Sequence, residues 1–284
     1  MKSRLSAKRR FYGIVLRCCI ILCACLTVAL VVSIIGYVLY QGLGHVTWEF
    51  LSTQRSAMRN TIGIFPNIIF TLYLVLTTLA IAIPLGIGAA IYLNEYAKNR
   101  KLVRTIEFAT ETLTGIPSII FGLVGYLFIV QQLGVGTGIL AGSITLAIVV
   151  LPTIVRTTQE ALKTVPVSYR EGAVALGATK WYMLRTLVLP SSRDGIIGGV
   201  ILSVGRMVGE SAALILTAGM GFRLVTNYFQ ALQTSGATLT VALYQYVMDQ
   251  GEFEVGFAIA AILMIIVLVI NFAVKLTKKR LKKG

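Results

Sequence analysis

From Cys18 to Tyr40 the chain runs twenty-three residues without a charged side chain, and a second uncharged stretch extends from Asn60 to Asn94. A helix needs about 20 apolar residues to cross the hydrocarbon core of a bilayer, and there its backbone polar groups are satisfied internally. Six segments meet that requirement. They are Cys18–Tyr40, a stretch inside Asn60–Asn94, Thr112–Val130, Gly138–Val155, the run after Asp194 to Gly219, and Val255–Val274. Only 13 % of residues are charged against 56 % hydrophobic, and mean hydropathy is +0.83. So few charges cannot coat a soluble fold of this size. The expectation is an all-α polytopic membrane protein with six transmembrane helices.

A formal net charge of +15 would suit a nucleic-acid binder if the basic residues lined one groove. Here they flank the apolar runs instead. Six lie in the tail through Arg17, four in Ala97–Glu111, six in Arg156–Asp194 and six from Lys275 onward. All four regions fall on one side of a six-span topology, and the positive-inside rule makes that side cytoplasmic, with both termini on it. Arg55, Arg59 and Arg223 fall on the opposite side, and Arg206 falls inside a span.

The first run is too long for a signal-peptide core of ~7–15 residues and no small-x-small cleavage site follows it. Cys18, Cys19, Cys23 and Cys25 lack metal-ligand spacing and lie toward a reducing compartment, so they read as small apolar filler. Pro84, Pro117 and Pro152 are expected to bend three spans. Gly205 and Gly209 form a small-xxx-small pair that lets helix backbones approach.

Val165–Pro190, VPVSYREGAVALGATKWYMLRTLVLP, is the most informative segment. Ser168 and Glu171 are spaced as a capping box ahead of a small-residue run, and Gly177 is placed as a C-terminal stop. The spacing predicts a two-turn helix inside a cytoplasmic loop near forty residues long. A loop of that length inside a bundle points to function.

Glu171-Gly172-Ala173-x3-Gly177-x9-Leu187-x-Leu189-Pro190 resembles the cytoplasmic "EAA" signature of permease subunits in binding-protein-dependent ABC importers, with Gly172 and Leu187 as the departures. Three further stretches, Pro84–Tyr96, Gly115–Gly122 and Gly205–Leu214, are similar to phosphate-importer permeases. The Ser-Ala-Ala-Leu…Thr-Ala-Gly219 continuation matches one of that importer's two permease types better than the other. The resemblance implies the type I ABC importer permease fold. It divides the chain into 1–60 (basic tail, first helix and periplasmic loop), a permease domain at 61–274 and a basic tail at 275–284. It further implies three partners: a second permease, an ATPase dimer and a periplasmic phosphate-binding protein. The loop helix at Glu171–Gly177 would dock on the ATPase. No phosphate-binding loop motif occurs in the sequence, so no cofactor is expected in this chain, and ATP and magnesium would be bound by the ATPase. The chain is then not an enzyme but a transporter subunit.

Arg206 and Glu210 stand four apart, about 16 Å along a fifth helix counted from Gly195. Ser203, Arg206, Glu210, Ala213 and Thr217 recur at helical steps. They form an expected polar or small stripe lining a substrate path, with Arg206 attracting an oxyanion and Glu210 neutralising it at rest. An ion pair gluing helices together is the structural alternative. Among functions, a permease for another oxyanion such as molybdate or sulfate is the runner-up. An ion channel is weaker, because Leu123 and Leu127 flank the filter-like Val124-Gly125-Tyr126. A phosphate-signalling scaffold is compatible with transport.

Overall fold

The computed structural model describes residues 7–56, 61–223 and 227–281. Helix α1 (Ala7–Leu43) is followed by the short α2 (Trp48–Ser52) and an antiparallel pair, β1 (Gln54–Ser56) with β2 (Thr61–Ile64). Helix α3 (Phe65–Ile91) ends in a π-helical turn, Tyr92–Tyr96. Next come α4 (Arg100–Gly115) and α5 (Ser118–Gly125), the latter extended by a π-helical Tyr126–Gln132. Helix α6 (Ile139–Lys163) precedes α7 (Val167–Ala175). Helix α8 (Lys180–Met183) passes through π-helical Leu184–Val188 into α9 (Leu189–Gly209). The chain closes with α10 (Ala212–Thr217), α11 (Tyr228–Ala231), α12 (Leu239–Tyr244) and its π-helical extension Gln245–Asp249, and α13 (Phe253–Leu281).

Five of these helices are long and apolar enough to cross a membrane, and a sharply bent α4–α5 pair supplies a sixth if it counts as one span. Their directions alternate. A Cβ on Gly86 would meet Ile154, and one on Gly142 would meet Leu74, so α3 and α6 run parallel. Gly195 packs on Ala161 and Gly199 on Thr157, so α9 runs antiparallel to α6. His45 reaches Glu254 at 3.6 Å and Tyr37 meets Phe257 edge-on, so α1 and α13 are antiparallel. Both ends of the described chain therefore lie on the same side as α7, called the loop side below.

The main core joins Phe70 and Leu74 of α3, Val150 and Ile154 of α6, Met207 of α9 and Leu214 of α10. Buried hydroxyls inside it find backbone acceptors: Thr78 donates to the Leu74 carbonyl and Thr145 to Ala141 on their own helices, while Ser143 of α6 donates across to the Leu74 carbonyl of α3. An unsatisfied hydroxyl in apolar surroundings would cost roughly 2–7 kcal/mol. A second core on the far side packs Phe50, Ile64, Leu239, Tyr246 and Ile259. Burial pushes the Tyr246 phenol above its ordinary range, opposed by the nearby Arg55 guanidinium. By contrast, α1 buries nothing along Phe11–Leu43 except a seam on α13, and its four cysteines are exposed.

Two expected spans are broken. The third does not run through Thr112–Val130. Thr112–Gly115 belong to α4, which meets the helix beginning at Ser118 at 100°. Pro117 removes a backbone donor and forces Ile116 into an extended conformation (ψ 131°), which ends the helix there. The fifth begins earlier than Asp194, at Lys180, and stops at Gly209. The loop between α6 and α8 is thereby shortened to Thr164–Thr179. A Cβ on Gly205 or Gly209 would meet nothing within 4 Å, so among the described residues neither makes the close helix contact expected of the pair. Gly195 and Gly199 make the close α6 contact instead.

Candidate functional site

Helix α7 hangs from the loop-side end of α6. Its start is set by Pro166 in an extended conformation (φ −56°, ψ 140°), pre-organised to lead into a helix. Helical geometry thus begins before Ser168, which sits inside the first turn and forms no side-chain cap. The expected Ser168–Glu171 capping box is absent for that reason. The stop is as expected. Gly177 adopts φ +80°, its N–H donates to the Val174 carbonyl (2.9 Å) and the Ala178 N–H to the Ala173 carbonyl (3.0 Å). These two bonds form a Schellman closure. Thr179 then caps α8 through the Tyr182 N–H.

The inner face of α7 is fixed by one side chain. Arg170 Nη1 donates to the Val165 carbonyl (2.8 Å), and Nη2 to the Leu162 carbonyl (2.8 Å) and to Glu95 Oε1 (3.1 Å). Asn94 Nδ2 also donates to Glu95 Oε1 (2.8 Å), and the Lys180 ammonium donates to the Glu95 carbonyl while lying 4.9 Å from the Tyr96 ring centroid. Beneath these groups Leu162, Val165, Met183, Leu184 and Val188 make a small apolar core, joined by Ala173 and Leu189.

The outer face is apolar and open. Leu176 is 90 % exposed, and Tyr169, Val174, Trp181 and Tyr182 are each more than half exposed. A groove of about 860 Å³ runs between α7 and α8, lined by Gly172, Leu176, Gly177, Tyr182 and Leu187 among others. Glu171, Gly172, Gly177 and Pro190 are on the surface. Ala173 and Leu189 instead pack against the small core, so these two support the helix from inside. The exposed aromatics, Glu95 and Arg170 escaped the sequence reading. Glu95 lies in the Pro84–Tyr96 stretch already singled out, but nothing local ties it to Arg170.

The expected polar stripe along the fifth span does not form. The helix ends at Gly209, and Glu210 takes an extended ψ of 126° before α10 begins. Glu210 Oε1 accepts the Ala213 N–H at 3.3 Å and thereby caps α10, while the Glu210 carbonyl accepts the Thr240 hydroxyl at 2.7 Å. Arg206 and Glu210 are both half-buried, and among the described residues no carboxylate lies within ion-pair distance of Arg206. Ser203 and Thr217 are fully buried and donate to the carbonyls of Gly199 and Ala213. They pack inside the core. Ala213 is buried against Gly122.

A family model for the inner membrane component of binding-protein-dependent transport systems matches residues 82–283. The chain belongs to that family. One relative in it is the probable ABC transporter permease protein YqgI of Bacillus subtilis, 34 % identical over 267 residues, covering 89 % of this chain and 90 % of its own length. The phosphate transport system permease PstA of Pasteurella multocida is 33 % identical, with 74 % of each chain covered. PstC of Mesorhizobium japonicum is also 33 % identical, covering 74 % of this chain and 72 % of its own. Among solved structures, the inward-facing MetNI methionine ABC transporter aligns with a TM-score of 0.62 at 23 % identity, over 77 % of this chain and 94 % of its own. A bacterial alginate ABC transporter aligns with a TM-score of 0.66 at 14 % identity, over 98 % and 97 %. The binding-protein-dependent permease thus has the type I ABC importer permease fold and is a multi-pass inner membrane protein.

Proposed function

We propose that this permease is half of the translocation path of an ATP-driven inorganic phosphate importer. The observation that carries the reading is α7, a short helix with an open apolar outer face, rigidly backed and placed where the family's coupling signature falls. Its groove suits a surface of a separate ATPase chain, which would hold ATP and magnesium. Relatives named PstA and PstC support phosphate as the substrate. The Ser211–Gly219 continuation favours the PstA-like role, with a PstC-like second permease and a phosphate-binding protein delivering substrate from the far side. The basic flanks make the loop side, with both termini, cytoplasmic.

In this reading Arg206 meets the oxyanion. It is half-buried beside a helix break, holds no ion pair among the described residues, and its guanidinium suits bidentate phosphate contact. Glu210 acts next to it by shaping the break. The test is uptake of radiolabelled phosphate by vesicles holding the four-component complex, with unlabelled ATP supplied on the ATPase side. ATP-dependent uptake resistant to excess molybdate and sulfate is expected. Uptake of either competitor in place of phosphate would move the assignment to another oxyanion, and ATP-independent conductance would overturn it.

A further inference from the structure

Arg170 and Glu95 are 75 residues apart in sequence, yet they form the most shielded ion pair among the described residues, with side chains 19 % and 7 % exposed. The other carboxylate–cation pairs are surface contacts: Arg156–Glu160 and Lys163–Glu107 all have side chains more than 40 % exposed. Exposed pairs of that kind contribute little. A shielded pair is different, because removing one partner strands the other without water.

The contacts of the pair join four elements. Arg170 belongs to α7 and grips the Leu162 carbonyl in the last turn of α6 and the Val165 carbonyl in the turn that follows it. Glu95 closes the π-helical end of α3, and its carbonyl holds Lys180 at the start of α8. A planar fork satisfied on two nitrogens by three acceptors, one each from α6, the Thr164–Pro166 turn and the end of α3, resists rotation as well as translation. Only Arg170 Nε lacks an acceptor. The backbone link from α6 to α7, by comparison, is the single short turn Thr164–Pro166.

We propose that Arg170 is the positioning residue that makes α7 move as one body with α3 and α6, with the Glu95 pair as its strut. The proposal rests on the coupling role of α7 given above. Without the strut, the outer face of α7 still docks and still permits hydrolysis, but its displacement is absorbed in the Thr164–Pro166 turn.

The decisive variant is the double replacement Glu95→Met, Arg170→Met, which strands no charge and keeps long apolar side chains in place. In the reconstituted complex it is expected to retain ATPase association and hydrolysis. Labelled phosphate moved per ATP should fall by about tenfold or more, the scale of losing one charge-assisted contact. A purely structural pair predicts that this variant restores the wild-type ratio, and that result would overturn the proposal. Spin labels at Val167 and Tyr92, two exposed sites on α7 and the end of α3, test the same point with the native pair intact. Their separation should stay constant between nucleotide-free and ATP-bound complex. A shift beyond the spread of the label would overturn the strut even if the double variant failed to assemble. A wild-type complex with no ATP-driven phosphate uptake would count against the phosphate assignment, and the constant label separation would still stand or fall by itself.

Discussion

Gly177 separates two contributions that usually arrive together, backbone strain and steric bulk. Its φ of +80° is left-handed, a conformation that costs a residue with a Cβ about 1–2 kcal/mol. A Cβ built there meets nothing within 4 Å, so bulk costs nothing inside this chain. Gly177→Ala therefore carries strain alone. It shifts the Schellman closure of α7 toward its open form by a factor of about 5–30, the equivalent of that energy. The rest of α7 is held independently by Arg170, so the loss stays within Leu176–Ala178. Gly177→Asn carries less strain, since Asn visits this region readily. Gly177→Trp carries the same strain as alanine plus a bulk projected into the open groove between α7 and α8.

The assay is ATPase association, ATPase stimulation and labelled phosphate uptake, measured on the same vesicles for all three variants. Asparagine should stay close to wild type and alanine should lower uptake by no more than about 30-fold, the upper end of the strain above. Tryptophan should abolish coupled uptake while the permease remains in the membrane. Wild-type transport and ATPase stimulation in Gly177→Trp would refute docking at this site. Equal losses in alanine and tryptophan would refute it too, since strain alone would then explain both.

The chain should purify in transport-active form only together with a second, related permease, and a stable homodimer active in uptake would contradict this. Gly199→Val should lower the thermal unfolding temperature, because a Cβ there falls 1.9 Å from Thr157 Oγ1 and overpacking costs about 1–3 kcal/mol; Gly205→Ala, facing open space, should leave it unchanged. Arg206→Gln should abolish uptake without loss of assembly, since no buried carboxylate is stranded by it. Glu210→Gln keeps a side-chain carbonyl for the Ala213 N–H and should assemble, whereas Glu210→Leu loses that cap at about 0.5–2 kcal/mol. Normal phosphate transport in an assembled Arg206→Leu, Glu210→Leu variant would remove both residues from the substrate path.

Hydropathy made the spans legible because a bilayer demands long apolar runs, and it left the breaks invisible because breaks need no charge. Thr112–Val130 is uncharged from end to end, yet Gly115-Ile116-Pro117 turns the chain by 100°. The signal was present in the restriction proline places on the residue before it. At the fifth span Gly209 followed by Glu210 marked a second break, but a four-residue spacing read as one helical face concealed it. Helix α7 showed the reverse error. Its glycine stop was legible from spacing alone, while its start was misplaced because Pro166 initiates the helix two residues ahead of the serine that looked like a cap. Arg170 and Glu95 carried no local pattern, since their partnership exists only once α3 and α6 lie side by side.

That placement also decides where a push on α7 can go. Helix α6 is the spine, packed along its length against α3 on one flank and α9 on another. Arg170 fastens α7 to the Leu162 carbonyl in the last turn of α6, to the turn after it and, through Glu95, to the end of α3. Helix α9 is reached through Lys180 and the continuous α8–α9 helix. All three helices meet in the core around Leu74, Ile154 and Met207, which is close-packed and transmits displacement. Among the described residues α1 packs chiefly on α13, away from the α6 spine, so a load on α7 falls mainly on the other helices. The force arrives instead at the far end of α9, where the helix already breaks at Gly209 and Arg206 stands one turn before the break. Under the proposed function, a rigid push delivered to an existing discontinuity would move α9 against α10 without unfolding either, and the cation nearest that joint would be the one to hold or release the anion.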